Sequence, residues 1–325
     1  MRNLHVQSSR KYPVERLCRL LGVSKQAYHK QKGVSAARRA AKEAFALEYI
    51  RSVRSEDPGI GGKKLWFMYK RDFPDVDRVG RDWFEDIVYR HHLRVRNKIR
   101  KPKTTDSRHG LPLYPNLAYD LIPSGINQLW VSDITYIPVW LDGESYTFCY
   151  LSMVSDAYSH EIIGWAVGAS LESKYTVRAL DMALEHLKNG GAAAEGLIHH
   201  SDRGIQYASR GYTEALESHN VRISMTEDGN PKDNAIAERA NSTVKNELLK
   251  GMRFTCITEV EDAIAKAVWF YNTKRPHMSI DMMTPQQAAL CNGEIRKWWT
   301  SYREKAIKNN ESIDNPEKKF TIASL

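Results

Sequence analysis

Three acidic residues occupy positions where the sequence pattern makes a carboxylate unusual. Asp133 lies in the middle of INQLWVSDITYIPVW, a predicted strand in which an unpaired charge would be costly. Asp202 ends GLIHHSD, at the carboxyl end of a short predicted parallel strand, which is a usual location for sites in α/β sheets. Glu238 falls in the first two turns of a helix predicted from Pro231 to Leu249.

Taken singly, each carboxylate is more often a salt-bridge or capping residue than a catalyst. Together, on two core strands and an adjoining helix, Asp133, Asp202 and Glu238 could converge on one point. Hard oxygen ligands with open coordination positions select Mg²⁺ or Mn²⁺ rather than zinc. The sequence therefore predicts a divalent-metal site built from these residues.

The elements that would position the three carboxylates follow from periodicity. Three strands are predicted first, with an Asp142-Gly143 hairpin turn between the first two, and helices then alternate with strands. This order is that of an α/β fold, a ribonuclease-H-like catalytic core, preceded by N-terminal all-α helix-turn-helix modules. The predicted segments are strands 126–140, 145–155, 161–168, 196–202 and 221–225, and helices 174–187, 209–219 and 231–249.

The N-terminal segment 14–31 is predicted to form helix, tight turn and helix. Gly22 suits a left-handed residue that ends the first helix, and Ser24 can cap the second. A helical hairpin without DNA-binding function would show the same pattern. As a helix-turn-helix, the second helix would present four side chains to a DNA groove: Lys25, Gln26, His29 and Lys30.

A second helical module is predicted over residues 51–95, with Asp77 as a helix cap and with Trp66 and Trp83 as core residues rather than base-stacking platforms. RVRNKIRKPK then has six basic residues in ten and opens a Pro-rich linker suited to a phosphate backbone. Its predicted DNA contacts are Arg100, Lys101 and Lys103. The expected domains are 1–50, 51–95, the linker 96–124, the catalytic core 125–252 and a C-terminal region 253–325.

Charge is distributed unevenly along the chain. Residues 1–110 hold 27 basic and 12 acidic residues, whereas the remainder holds 21 and 27. A basic part joined to an acidic part suggests a polyanion partner for the first. No apolar run approaches a membrane span, no signal core is present, and the four cysteines form no close pair, so we expect a cytoplasmic protein without a disulfide framework or a cysteine-based zinc site.

Several motifs in combination resemble the DDE integrase-core transposases, and more narrowly the second-frame product of the insertion-sequence-three family. The resemblance covers roughly residues 50–290, and 35 residues separate Asp202 from Glu238. Arg239-Ala240-Asn241 stands where the family often has an aromatic pair. The motifs are Trp130-x-x-Asp133-x-Thr135-Tyr136, His200-Ser201-Asp202-x-Gly204-x-Gln206-Tyr207, Asp233-Asn234-Ala235-x-x-Glu238 followed by Lys245, and Tyr271-Asn272-x-x-Arg275-Pro276-His277.

The resemblance implies catalysis by Asp133, Asp202 and Glu238, which would hold two Mg²⁺ or Mn²⁺ ions for DNA nicking and strand transfer. It also implies double-stranded element ends and target DNA as partners, a homo-oligomer on DNA, and an upstream-frame partner protein.

Five further residues are candidate DNA contacts: Gln206, Tyr207, Lys245, Arg275 and His277. Gln206 and Tyr207 could instead shape the loop around Asp202. Lys245 lies seven positions after Glu238, hence on the same helix face, and could equally be a solvated lysine.

Two alternatives to a bacterial transposase remain at this point. One is a non-catalytic DNA-binding regulator derived from a transposase, and the other is a ribonuclease-H-like nuclease without strand transfer. Retention of all three carboxylates favours the enzyme over the regulator. The paired helical modules argue against the nuclease, which has little use for sequence-specific end binding.

Overall fold

The structure is a computed structural model that describes residues 13–22, 24–26, 34–74, 79–95, 110–141, 145–191, 194–227 and 234–298. Five predicted DNA contacts lie outside these ranges: His29, Lys30, Arg100, Lys101 and Lys103. None of the helices in the described ranges combines the length and apolar character needed to cross a bilayer.

Helix α1 (Val14–Leu20) confirms the first helix predicted for the N-terminus. Gly22 follows it with φ of +63°, the left-handed conformation that a glycine adopts without strain. Lys25 and Gln26 begin the next helical segment and are exposed, as a groove-reading helix would require. Because the rest of that segment is not described, the helix-turn-helix stays a prediction.

Helix α2 (Val34–Glu56) was not predicted, and it runs through the expected domain boundary between residues 50 and 51. Helices α3 (Gly62–Asp72) and α4 (Arg81–Arg90) follow it and confirm the predicted helical module. Helix α4 begins with Gly80 at its N-cap, so the predicted cap Asp77 is wrong as the residue that starts this helix.

Trp66 and Trp83 pack against the core, as the sequence predicted. The indole Nε1 of Trp66 also donates a hydrogen bond of 2.9 Å to the Val79 carbonyl, which ties α3 to the segment that enters α4. A partly buried, hydrogen-bonded indole serves the fold of this helical module rather than base stacking.

The described strands form a five-stranded mixed sheet in the order β3-β2-β1-β4-β5. The first three strands pair antiparallel, and β4 and β5 run parallel to β1. This is the predicted ribonuclease-H-like topology. The strands are β1 (Leu129–Trp140), β2 (Tyr146–Asp156), β3 (Ile162–Gly168), β4 (Ile198–Ser201) and β5 (Arg222–Met225).

Helices cover both faces of the sheet and enclose two main apolar clusters. Helices α5 (Ser173–Asn189) and α6 (Arg210–Ser218) pack on one face, where Gly164 allows α5 to approach β3 closely. Helices α7 (Ala235–Thr243) and α8 (Ile257–Thr273) pack on the other.

The helix predicted from 231 to 249 is in fact two segments. Helix α7 is followed by a π-helical turn, Val244–Leu248. The chain then returns through α8, a 3₁₀ turn (Met278–Ile280) and α9 (Pro285–Ala288), whose Thr284 and Gln287 form a capping box.

The N-terminal helices share one apolar core with the sheet. Side chains of α2, α3 and α4 belong to the same buried cluster as Ile137 and Leu151 of the sheet and Val244 of the π-helical turn. At Gly59, a Cβ atom would overlap the backbone of Glu247, so the two parts of the chain are in direct backbone contact. The region 51–95 is therefore packed on the sheet and the π-helical turn and is not a detached module.

Candidate active site

Asp133 lies in β1 just beyond the residues that pair with β4, which are Leu129 to Val131. Its carboxylate accepts hydrogen bonds from the backbone N–H of Ile134 (2.9 Å) and from Nδ2 of Asn241 (2.8 Å). Burial, followed by the negative charge of Asp202, raises the pKa of Asp133 to about 7, and Glu238 adds a smaller effect in the same direction. All three predicted carboxylates therefore interact electrostatically around Asp133.

Asp202 immediately follows β4, in a tight turn that holds its side chain. Oδ1 accepts a 3.0 Å hydrogen bond from the backbone N–H of Gly204. A Cβ atom at position 204 would lie 2.9 Å from the same oxygen, closer than side-chain carbons normally come. Glycine at this position thus permits the turn that places Asp202 at the carboxyl end of β4, next to Asp133 on the neighbouring strand.

Glu238 is exposed on the first turn of α7. Two asparagines fix this helix against β1. Nδ2 of Asn234, the N-cap residue, donates to the Ser132 carbonyl at 2.8 Å, and Asn241 binds Asp133. Residues three apart on a helix are neighbours on one face, with Cβ atoms about 5–6 Å apart. The bond from Asn241 to Asp133 therefore brings the face that carries Glu238 towards Asp133, within β1.

Hydrogen-bonded histidines support the pairing of β1 and β4 beneath the carboxylates. Burial lowers the pKa of His199 to about 3, so the ring is neutral. Its Nε2 lies 2.7 Å from the Ser132 hydroxyl and 2.9 Å from that of Tyr212. Nδ1 of His200 lies 2.8 Å from the Ser224 hydroxyl on β5, so His200 packs inside the sheet.

A metal ion fits the chemistry of this site in part. Within the described ranges, no group of three or more His, Cys, Asp or Glu side chains is placed to hold one metal ion. Asp133 and Asp202 nevertheless form a pair of mutually repelling carboxylates, the donor type that Mg²⁺ prefers. Oδ1 of Asn241 is buried without a hydrogen-bond partner in the described part of the chain, which leaves one more oxygen beside Asp133.

The structure separates the two possible roles of the residues after Asp202. Gln206 is half-buried, and its Nε2 donates to the Leu171 carbonyl at 3.0 Å. Tyr207 is buried with its ring 5.3 Å from that of Tyr212. These positions support the prediction that Gln206 and Tyr207 shape the loop around Asp202. For Tyr207, burial contradicts the other prediction, a contact with DNA.

Lys245 lies in the π-helical turn. The segment from Glu238 to Lys245 is therefore not the continuous α-helix that the sequence predicts. It is half-buried, and its Nζ lies 3.5 Å above the ring centroid of Tyr136, three residues after Asp133 in β1. Burial lowers the pKa of Lys245. Its role as a DNA contact stays a prediction.

Arg275 and His277 are buried, which corrects their assignment as DNA contacts. Arg275 donates to both carboxylate oxygens of Glu247, from Nε at 2.8 Å and from Nη2 at 2.9 Å, and its Nε lies 3.8 Å from Oδ2 of Asp57. The ring of His277 packs 4.5 Å from that of Tyr271. Arg275 therefore joins the segment after α8 to the π-helical turn and to Asp57, whereas His277 packs against α8.

Asn241 is the site residue that the sequence reasoning missed. Its signal was present, because an amide three residues after Glu238 on a predicted helix shares the face of that carboxylate. Arg239-Ala240-Asn241 differs from the aromatic pair that is frequent in the family, but this difference alone predicts no role for Asn241. Here Ala240 enters the core and Asn241 reaches Asp133.

The mixed sheet, with acidic residues in β1 and after β4, defines a protein of the integrase-core class with a ribonuclease-H-like fold. In agreement, two family descriptions, both named Integrase core domain, match residues 123–231 and 219–285. A 31 kDa protein of insertion element IS600 from Shigella sonnei, described as uncharacterized, is 32% identical over 83% of this chain and 96% of that protein.

A second relative is transposase InsF of insertion sequence IS3A from Escherichia coli K12. It is 33% identical over 61% of this chain and 66% of its own length. The catalytic core of HTLV-2 integrase, solved in complex with magnesium, is 19% identical over 51% of this chain and 97% of that one, with a TM-score of 0.37. The chain belongs to the integrase-core family of insertion-sequence transposases.

Proposed function

We propose that the protein is the transposase of a bacterial insertion sequence. It would bind the ends of the element and catalyse metal-dependent DNA nicking and strand transfer. The observation that carries this proposal is the bond from Asn241 to Asp133: it supports the proposal because Asn241 shares a helix face with Glu238, and Asp133 interacts electrostatically with Asp202. Family membership supports the reaction class.

Asp133, Asp202 and Glu238 would hold two Mg²⁺ or Mn²⁺ ions. Such ions, when bound, lower the pKa of water or activate a DNA 3′-hydroxyl and stabilise the leaving oxygen of an in-line displacement. The residues of the chain supply position. Asn241 and the Ile134 N–H orient Asp133, and the turn at Gly204 orients Asp202. The two hydrogen bonds to Asp133 favour its ionised form and so oppose the rise in its pKa.

DNA would be held mainly by the basic N-terminal third of the chain. The predicted contacts there are Lys25 and Gln26, which are exposed, together with the basic linker. Assembly of at least two copies on DNA follows from the family, since two element ends must be joined. An upstream-frame partner stays a prediction without support in the comparisons.

The decisive variant is Asp202→Asn. We expect Mg²⁺-dependent nicking of a terminal-repeat oligonucleotide to be abolished, because a neutral amide cannot replace a carboxylate ligand, while affinity in a gel shift changes less than about two-fold. Asp181→Asn, at an exposed position of α5, is the matched control and should nick normally. If Asp202→Asn still nicks the oligonucleotide, the site is wrong. If neither protein nicks but both bind the ends, the non-catalytic regulator replaces the transposase.

A further inference from the structure

The arms of the β1–β2 hairpin present an unusual outer face. Their inward residues Ile137, Val139, Cys149 and Leu151 are buried in the core, as alternation in a strand requires. Polar residues are usual on the opposite face of such an antiparallel pair. Here that face carries rings, which we call the aromatic face and define as Tyr136, Trp140, Tyr146 and Phe148.

The rings of the aromatic face form a continuous ladder. Centroids lie 4.9 Å apart for Tyr136 and Phe148, 5.4 Å for Phe148 and Tyr146, and 5.1 Å for Tyr146 and Trp140. The contacts are edge-on or tilted rather than stacked face to face. Tyr146 is 51% exposed and Phe148 36% exposed. Contiguous exposed apolar surface of this kind marks a binding site more often than an isolated exposed residue does.

Two cations lie over the ends of this ladder. Nζ of Lys245 is 3.5 Å from the ring centroid of Tyr136, and Cζ of Arg253 is 3.9 Å from that of Trp140. Arg253 is held there by the next residue, because the Phe254 carbonyl accepts a 2.7 Å hydrogen bond from the Trp140 N–H. Aromatic rings interleaved with lysine and arginine are the usual composition of surfaces that bind single-stranded nucleic acid.

The aromatic face begins close to the candidate active site. Tyr136 is three residues after Asp133, a rise of about 10 Å along a strand. Strand β4 pairs with β1 only as far as Val131, so the backbone hydrogen bonds between these two strands end before Asp133. Asp133 and Tyr136 point to opposite faces of β1. Lys245 nevertheless connects the aromatic face with the candidate active site. It follows α7, whose Asn241 is hydrogen-bonded to Asp133, and its Nζ contacts the Tyr136 ring.

We propose that the aromatic face binds unpaired DNA bases of the strand that leaves the carboxylates, with Lys245 and Arg253 neutralising its phosphates. The choice of DNA as the ligand rests on the proposed function. Fully paired DNA hides its base faces within the stack and offers phosphates to the protein, which rings do not recognise. Unpaired bases expose the flat surface that rings bind, irrespective of sequence.

The test compares two DNA probes without metal, so that no chemistry occurs. One is a fully paired mixed-sequence duplex, and the other is the same duplex with a ten-nucleotide single-stranded thymidine tail. Fluorescence anisotropy gives the affinity of each for the full-length protein. In the double variant with Tyr146→Thr and Phe148→Thr, we expect the affinity advantage of the tail to fall about five-fold or more, since each lost base–ring stack contributes measurably. Affinity for the paired duplex should change less than about two-fold.

Two controls accompany the double variant. Trp269→Ala removes a ring that is 52% exposed on α8 and has Nζ of Lys274 5.7 Å from its centroid, and it should leave the tail advantage intact. Tyr146→Phe keeps the ring and should also retain the advantage, which separates the contribution of the ring from that of the hydroxyl.

Three results would overturn the inference. Tail binding could be unchanged in the double variant, both probes could weaken equally, or the double variant could change the oligomeric state of the DNA-free protein, which would assign the face to contacts between copies. Because binding is measured without metal, these outcomes are distinct from a failure of Asp202→Asn to abolish nicking. Ring-dependent tail binding by a protein that never nicks would refute the proposed function alone.

Discussion

Arg275→Met is expected to destabilise the protein strongly. The guanidinium is buried, binds Glu247 through two hydrogen bonds of 2.8 and 2.9 Å, and lies 3.8 Å from Asp57. Methionine preserves most of the side-chain volume and removes the charge. The buried Asp57 and the half-buried Glu247 then lose their nearest cation, and removal of one partner of a buried ion pair typically costs about 3–5 kcal/mol of unfolding free energy.

The pH dependence of this loss follows from the carboxyl groups. Burial, then the charge of Glu247, raises the pKa of Asp57 from 3.8 to about 8. A carboxyl whose pKa is raised in the folded state binds a proton more readily there than in the unfolded state. It therefore stabilises the fold at low pH, and this contribution is lost as the pH rises from about 4 to about 8. Without Arg275 the repulsion between Asp57 and Glu247 is less offset, so we expect a larger penalty at pH 8 than at pH 6.

Urea unfolding followed by circular dichroism measures the effect. Arg210→Met is the matched control, since Nε of Arg210 makes an equally short bond of 2.6 Å to Glu214 but is 90% exposed, and its loss should leave the unfolding midpoint unchanged. If Arg275→Met shifts the midpoint no more than Arg210→Met does, or if the loss of unfolding free energy does not grow with pH, then the contacts of Arg275 with Glu247 and Asp57 do not stabilise the packing of α8 on the N-terminal helices.

Two further predictions concern residues whose contacts are specific. Asn241→Leu should lower the nicking rate at least about ten-fold without weakening end binding in a gel shift, because Asp133 loses a charge-assisted hydrogen bond; an unchanged rate would remove Asn241 from the site. Gly164→Ala should lower the unfolding free energy by about 1–3 kcal/mol, because the new Cβ would overlap the Ala179 carbonyl oxygen. Gly110→Ala, which meets no atom within 4 Å, should not, and equal urea midpoints for the two variants would contradict the close approach of α5 to β3.

The sheet was predictable because its signals are local. Alternating β-branched and aromatic residues mark β1, β2 and β3, and each predicted strand is present within a few residues of its expected bounds. Asp133 and Asp202 could be selected because an acid within or at the end of such a strand conflicts with its apolar surroundings. The same reasoning reached Glu238 only through the predicted helix and the family motif.

The role of Arg275 was not predictable because its partners are distant in sequence. Glu247 precedes it by 28 residues, and Asp57 lies in the N-terminal helical region. A basic residue after a helix usually remains solvated, and the DNA contact predicted for Arg275 follows from the family resemblance. Only tertiary packing brings two carboxylates to the guanidinium and makes its burial tolerable.

The helix that carries Glu238 is held against the sheet, and the π-helical turn that follows it is held against the N-terminal helices and the segment after α8. At one end Asn241 binds Asp133 and so sets the distance of the helix from the sheet. At the other, Glu247 of the π-helical turn binds Arg275 and lies 3.7 Å from Nζ of Lys64 on α3. A π-helical turn between the two contacts sets the helix register differently from a continuous α-helix. Because α3 and α2 share the core of the sheet, the contacts of Glu247 with Arg275 and Lys64 link the π-helical turn after α7 to the N-terminal helices.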